Sequence, residues 1–111
     1  MSKQLKFKGN DGREYTLEFT RDTIRTMERN GFVIGEIDSK PMTVLPQLFR
    51  GAFLANHKFT KVETIDEIYA KLTRKSELIE KLAEMYNETI ETLVEEPEEG
   101  DEGNIEWETS W

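Results

Sequence analysis

The sequence predicts an α+β fold: an N-terminal β-hairpin, then a mainly helical bundle of about four helices, then an acidic C-terminal tail. Apolar and polar residues alternate up to residue 19, as in strands with one buried face. Apolar residues then recur every three or four positions up to residue 94, which is the helical period. We therefore expect a single globular domain at 1–94, with the hairpin at about 4–19, the helices at about 21–94 and the tail at 95–111.

The hairpin prediction rests on alternation on both sides of a turn. Leu5 and Phe7 alternate with lysines, and the pattern resumes from Tyr15 to Phe19. Between them, Gly9–Gly12 supplies residues that tolerate a positive φ. A lone hairpin is only marginally stable in water, so its apolar face needs a partner.

The first predicted helix follows the hairpin directly. Thr20 is a suitable N-cap, and Ile24 and Met27 repeat on one side. Asn30–Gly31 should end this helix, because a glycine just beyond the cap accepts the left-handed conformation. The apolar stretch Phe32–Ile37 that comes next is typical of a strand or an extended loop.

The second predicted helix should be the most deeply buried. From Val44 to Leu54 its apolar residues cover more than one face. Pro46 is compatible with a helix if Thr43 is the N-cap, since Pro46 then occupies the third helical position. The N–H at that position has no partner within the helix in any case.

Two more helices are predicted before the tail. Thr64–Glu67 matches a capping box, in which Thr and Glu side chains satisfy backbone N–H groups reciprocally. The last helix is expected from about Ser76 to Val94, where apolar residues are again spaced by three or four. Pro97 marks the end of the folded part.

The net charge of −8 lies entirely in the tail. All fifteen Lys and Arg precede residue 82, whereas residues 95–111 contain eight acids and no base, so residues 1–94 are formally neutral. A neutral body offers no basic surface for a phosphate backbone, and the tail would repel nucleic acid and anionic membranes. We therefore expect no nucleic-acid or membrane partner.

The amino-acid composition also predicts the cellular compartment. The chain has no cysteine, so a reducing cytoplasm is its natural compartment. The N-terminus lacks the apolar region of a signal peptide, and no run of about eighteen apolar residues occurs.

The sequence contains no recognisable catalytic, cofactor-binding or metal-binding constellation, and we predict that the protein is not an enzyme. His57 is the only histidine, and without cysteine a Cys–His dyad or a His/Cys metal cluster is impossible. No Gly-x-Ser-x-Gly elbow or phosphate-binding loop is present, and the acidic run lacks the ligand spacing of a calcium loop. We expect His57 to be structural, at the end of the buried helix and near its free carbonyls.

The aromatic end of the tail is the candidate partner-binding site. In an extended segment Ile105, Trp107 and Trp111 share one face, with glutamates on the other. This alternation suits a strand added to a sheet edge, or an aromatic anchor for a partner. The alternative is that the segment folds back onto its own body or stays loose.

Three stretches resemble a known family. They are Lys40–Leu54, Leu78–Tyr86 and the ending Gly103–Trp107. Together they are similar to the small tail assembly chaperones of long-tailed phages and prophages of Gram-positive bacteria, over most of the chain from about Tyr15 onward. The resemblance implies a non-enzymatic role in tail morphogenesis in the host bacterial cytoplasm. The implied partners are the tape measure protein and the major tail protein, and a homo-oligomer is compatible with this role.

A different class of function is the main alternative. An acidic nucleic-acid mimic would inhibit a DNA-binding protein by occupying its basic site. Such a mimic should spread its excess carboxylates over a folded surface, whereas here the excess is confined to the tail. The charge distribution therefore favours the chaperone.

Overall fold

The computed structural model describes residues 3–95 and 103–111, and it confirms the α+β prediction. A two-stranded antiparallel hairpin is followed by five helices within the described residues, four of them longer than six residues. In chain order the elements are β1 (Leu5–Lys8), β2 (Glu14–Leu17), α1 (Arg21–Arg29), α2 (Pro41–Gly51), α3 (Leu54–His57), α4 (Val62–Lys71) and α5 (Lys75–Glu91). Short 3-10 helices lie at Ile34–Glu36 and Thr92–Val94.

The hairpin forms as predicted, with its turn at Gly9–Gly12. Phe7 pairs with Tyr15, and their rings stack at 5.3 Å. Gly12 has a φ of 83°, which a glycine adopts without steric cost. The Asp11 carboxylate accepts hydrogen bonds from the Arg13 N–H and the Tyr15 hydroxyl, both at 3.0 Å. The Arg13 N–H, more than any other group, lowers the pKa of Asp11.

Helix α1 begins and ends where the sequence predicts. Thr20 is the N-cap, and its hydroxyl accepts the N–H of Thr23 at 3.1 Å. In return the Thr23 hydroxyl accepts the backbone N–H of Thr20 at 2.9 Å, so a capping box forms with threonine in place of the usual Glu or Gln. Gly31 lies just beyond the helix with a φ of 93°. The following stretch is neither a strand nor fully extended, because its centre forms the 3-10 helix at Ile34–Glu36.

Helix α2 starts earlier than predicted. Lys40 is the N-cap and Pro41 is the first helical residue, a position where a fixed φ and a missing N–H cost nothing. The prediction that Thr43 caps this helix is therefore wrong, and Pro46 lies inside it. Pro46 cannot donate to the Met42 carbonyl, but Met42 is highly exposed, so water can reach that end of the helix.

The predicted capping box at Thr64–Glu67 is also wrong. Helix α4 begins at Val62 with Lys61 as its N-cap, and no side chain caps it. The Ile65 N–H donates to the Lys61 carbonyl at 3.0 Å, so Thr64 already lies in the first turn of the helix and cannot be its N-cap. The last predicted helix is confirmed as α5, extended by the 3-10 helix at Thr92–Val94.

A single apolar core joins the hairpin to the helices. Helix α2 lies at its centre and contacts α1, α4 and α5, as its apolar sequence predicts. Tyr86 of α5 meets Phe19 and Phe32 edge to face, both at 5.4 Å between ring centres. Burial raises the pKa of the Tyr86 hydroxyl. The largest fully buried side chains are Leu17, Phe19, Leu48, Phe49, Phe53, Leu82 and Tyr86.

Candidate protein-binding surface

The described end of the tail presents its apolar side chains to solvent. Residues 104–111 form neither helix nor strand. Ile105, Trp107 and Trp111 are 91%, 82% and 99% exposed, so the structure places none of the three predicted site residues in the core. What distinguishes them from singly exposed apolar side chains is that three lie close together in sequence, two of them tryptophans, the residue type most enriched among binding hot spots.

The outer edge of β2 is closed by the α2–α3 corner. The Thr16 N–H donates to Nε2 of His57 at 2.9 Å, and the Thr16 carbonyl accepts from the Asn56 amide at 3.1 Å. One pair further along, the Glu18 N–H donates to the Ala52 carbonyl at 3.2 Å. These bonds occupy the outward-facing N–H and carbonyl of Thr16 and the N–H of Glu18, so no further strand can pair with this part of β2.

His57 therefore has a structural contact, although its partner differs from the one predicted. The ring lies at the end of α3 and accepts a strand N–H, instead of donating to helix carbonyls. It packs against Tyr15 with 5.2 Å between ring centres and against Phe53 with 6.1 Å. Because Nε2 already accepts a hydrogen bond, it is not available as a general base in this geometry.

The outer edge of β1, in contrast, is open. Since the Thr16 N–H points outward to His57, the Lys6–Thr16 pair is a non-hydrogen-bonded pair, and the peptide groups of Lys6 face away from β2. Lys8, two residues further on, faces the same way. No hydrogen bond from elsewhere in the described chain reaches the backbone of either lysine. Strand β1 can therefore accept another strand.

A groove lies beside this open edge, between the hairpin and the α4–α5 connection. It consists of two adjoining hollows of about 250 and 300 Å³, which share Phe7 and Leu72. Residues from 5–11, 64–72 and 73–81 line it, and we call it the β1 groove. Its floor is apolar and half-buried or buried, with side chains from Leu5, Phe7, Ile68, Leu72 and Leu78.

The rim of the β1 groove is basic. The charged residues that line it are three acids, Asp11, Glu67 and Glu77, and five bases, Lys6, Lys8, Lys71, Arg74 and Lys81. Within residues 3–95 and 103–111, no ion pair involves Lys6, Lys8 or Lys71. An acidic segment would therefore find unpaired cations here, although the body as a whole is neutral.

Ion pairs join the N-terminus to α5 and join α2 to α4. Lys3, just before β1, contacts Glu84 at 3.0 Å and Glu88 at 2.7 Å on α5. These hydrogen bonds raise the pKa of Lys3, and the bond from Lys3 lowers the pKa of Glu84. Arg50 of α2 binds Asp66 of α4 through two hydrogen bonds of 3.0 and 2.6 Å.

Within the described part of the chain, no group of three or more His, Asp or Glu residues is arranged to hold a metal ion. None of the described helices combines the length and the apolar character that crossing a bilayer requires.

The comparisons with known proteins identify a family but no function. A family model described as a domain of unknown function (DUF5055) matches residues 1–111. The chain belongs to this family. The comparison with curated proteins and the comparison with solved structures each found no match.

Sequence reasoning missed the β1 groove in this DUF5055 chain. The groove is formed by the hairpin and by residues about sixty positions later, and their proximity is a property of the folded chain. One signal was present, however. The strand Leu5-Lys6-Phe7-Lys8 alternates apolar residues with lysine, just as Ile105-Glu106-Trp107-Glu108 alternates apolar residues with glutamate.

Proposed function

We propose that this chain is a non-enzymatic phage tail assembly chaperone that binds the tape measure protein, the major tail protein, or both. The observation that carries the proposal is the exposure of Ile105, Trp107 and Trp111 next to an acidic run. Tryptophan is enriched among the residues that dominate binding energy at protein interfaces. The resemblance of three stretches of the sequence to such chaperones supplies the identity of the partner.

The charge distribution supports the same role. A tape measure protein is expected to be long, helical and prone to aggregate, so a chaperone needs apolar contact surface together with solubilising charge. The tail combines both in residues 95–111, which carry the entire net charge of −8. Residues 1–94 are neutral and supply the folded body from which the tail extends.

The contacts of His57 support the non-enzymatic part of the proposal. Its Nε2 accepts the Thr16 N–H, and its ring packs between Tyr15 and Phe53. Both contacts are explained by the fold, so the histidine needs no catalytic role to account for its position.

Co-expression with the tape measure and major tail proteins of the same genome tests this function. The full-length chain should form a complex with at least one of them and keep it soluble. Replacing Trp107 and Trp111 by alanine should reduce complex formation by at least about tenfold, as expected when interface tryptophans are truncated. The matched control replaces Met42 and Phe59, which are each 89% exposed on the body, and should bind normally.

The outcomes separate the proposal from its rival. If the full-length chain binds neither tail protein, the chaperone function is wrong. An acidic nucleic-acid mimic would instead bind a DNA-binding protein, with an affinity that falls steeply as salt is added.

A further inference from the structure

The open edge of β1 and the aromatic end of the tail are complementary in sequence, shape and charge. In β1, Leu5 and Phe7 point toward the core while Lys6 and Lys8 are exposed on the opposite face. In an extended Ile105–Glu108 segment, Ile105 and Trp107 share one face and the two glutamates share the other.

When that segment lies beside β1, apolar side chains meet apolar side chains on one face and glutamates meet lysines on the other. Side chains of neighbouring strands that lie on one face contact each other. Ile105 and Trp107 would join Leu5 and Phe7 over the apolar floor of the β1 groove. On the solvent face, the two glutamates would lie beside Lys6 and Lys8, which have no ion-pair partner within the described residues.

The alternation also fixes which face each side chain of the added strand takes. Because side chains alternate with a period of two, a slip by one residue would place Ile105 and Trp107 on the lysine face and the glutamates over the apolar floor. The backbone is equally suited, since the outward N–H and carbonyl groups of Lys6 and Lys8 are open to a third strand.

We propose that the Ile105–Glu108 segment of one copy of this chain adds to β1 of a second copy, and that two copies exchange these segments reciprocally. In the single chain Ile105 and Trp107 remain almost fully exposed, so the chain's own β1 groove does not hold them. A second copy has the same strand and the same groove. Reciprocal exchange therefore forms the contact between segment and β1 twice, related by a two-fold axis. The inference concerns self-association and does not rest on the binding of phage tail proteins.

Reversing the charges on β1 or on the tail segment tests the proposal. Sedimentation velocity over a range of concentrations measures the dimerisation of each variant. The wild-type chain should form a reversible dimer. The double variant K6E/K8E and the double variant E106K/E108K should each dimerise at least about tenfold more weakly, because like charges then face each other on neighbouring strands. The matched control K58E/K61E reverses two exposed lysines outside the groove and should dimerise like the wild type.

Mixing the two variants gives the result that only exchange between copies predicts. In the mixed dimer, the reversed edge of one copy meets the reversed tail of the other, and the two unreversed surfaces meet as in the wild type. An equimolar mixture should therefore recover dimerisation although each variant alone is weak. If the mixture stays monomeric, the contact is not between copies and the proposal is overturned.

Backbone hydrogen exchange locates the contact. The N–H groups of Lys6 and Lys8 should exchange more slowly at concentrations where the wild type is dimeric, and should remain fast in E106K/E108K. This variant changes only the tail, so it stays interpretable if K6E/K8E disturbs the hairpin. A wild-type chain that is monomeric at all concentrations, or a dimer in which both N–H groups exchange rapidly, contradicts the proposal.

Discussion

His57 accepts a hydrogen bond from the backbone N–H of Thr16, with 2.9 Å between Nε2 and the nitrogen. The bond joins the end of α3 to the outer edge of β2, forty-one residues apart in sequence. Because Nε2 is the acceptor, the ring is neutral here and carries its proton on Nδ1. The interaction closes one edge of the hairpin, which leaves β1 as the edge that can accept another strand.

Replacing His57 with alanine should destabilise the fold by about 1–2 kcal/mol. The Thr16 N–H loses its acceptor, and Tyr15 and Phe53 lose a ring neighbour. Urea unfolding followed by circular dichroism measures the change. His57→Gln, which retains an acceptor atom, should lose less, and Lys58→Ala is the neighbouring control. Equal stability of His57→Ala and the wild type would show that the hydrogen bond contributes nothing.

Gly51 at the end of α2 lies against Met27 of α1, and this contact should make Gly51→Ala destabilising. A Cβ at Gly51 would meet the Sδ and Cε atoms of Met27, the far end of a flexible side chain that also borders a hollow of about 190 Å³. Because a methionine can partly move aside, the cost should be about 1 kcal/mol, the low end for overpacking, and the higher helix propensity of alanine offsets part of it. Thermal or urea unfolding measures the difference.

A double-mutant cycle isolates that contact. Met27→Ala alone leaves a cavity, but in its presence the added Cβ has space, so Gly51→Ala should then be neutral or stabilising. Gly35→Ala is the matched control, because nothing lies within 4 Å of a Cβ built there. Additive effects of the two substitutions would contradict the steric explanation.

Local signals in the sequence predicted the elements that local interactions determine. Helix α1 begins after Thr20 and ends before Gly31. A hydroxyl N-cap and a left-handed glycine each determine a helix end through residues only a few positions away. The hairpin turn at Gly9–Gly12 follows from the same kind of local chemistry. These features need no knowledge of the rest of the fold.

The two incorrect N-cap predictions, at Thr64 and Thr43, fail because neighbouring residues outside each motif start the helix earlier. Thr64–Glu67 has the residues of a capping box, but the helix begins earlier, at Val62, and the Lys61 carbonyl accepts a hydrogen bond from the Ile65 N–H. Thr43 is a good cap by residue type, yet Pro41 is a better first helical residue. The β1 groove could not be located in advance for a related reason, since it depends on how α4 and α5 pack beside the hairpin.

The ion pair between Arg50 and Asp66 should make stability depend on pH in the acid range. The hydrogen bonds from Arg50 lower the pKa of Asp66 below its ordinary value of 3.8. A carboxyl with a lowered folded pKa contributes stability above its unfolded pKa, and that contribution is lost as the pH falls through the folded pKa. Both side chains are more than one third exposed, so solvent screening limits the contribution to about 0.5–1 kcal/mol.

Asp66→Asn tests this dependence. At pH 6 the variant should be less stable than the wild type by about 0.5–1 kcal/mol, and the difference should shrink toward zero as the pH is lowered to about 2. Urea unfolding at a series of pH values measures it. Asp38→Asn removes an exposed carboxylate with no ion pair among the described residues, so its difference from the wild type should stay near zero throughout. A constant deficit for Asp66→Asn at all pH values would show that the carboxylate's charge is not the cause.

Truncation after Glu95 should leave the folded body intact. The described tail residues Ile105, Trp107 and Trp111 are highly exposed, and the core cluster draws no residue from beyond Tyr86. The free energy of unfolding should therefore change by less than about 0.5 kcal/mol, as for surface changes in general.

This comparison needs low protein concentration, so that association of the full-length chain does not add to its apparent stability. Circular dichroism is the required probe, because both tryptophans lie in the tail and are absent from the truncated chain. Retained cooperative unfolding would support a domain that ends near residue 94. A loss of more than about 1 kcal/mol would mean that the tail packs against the body and that this boundary is wrong.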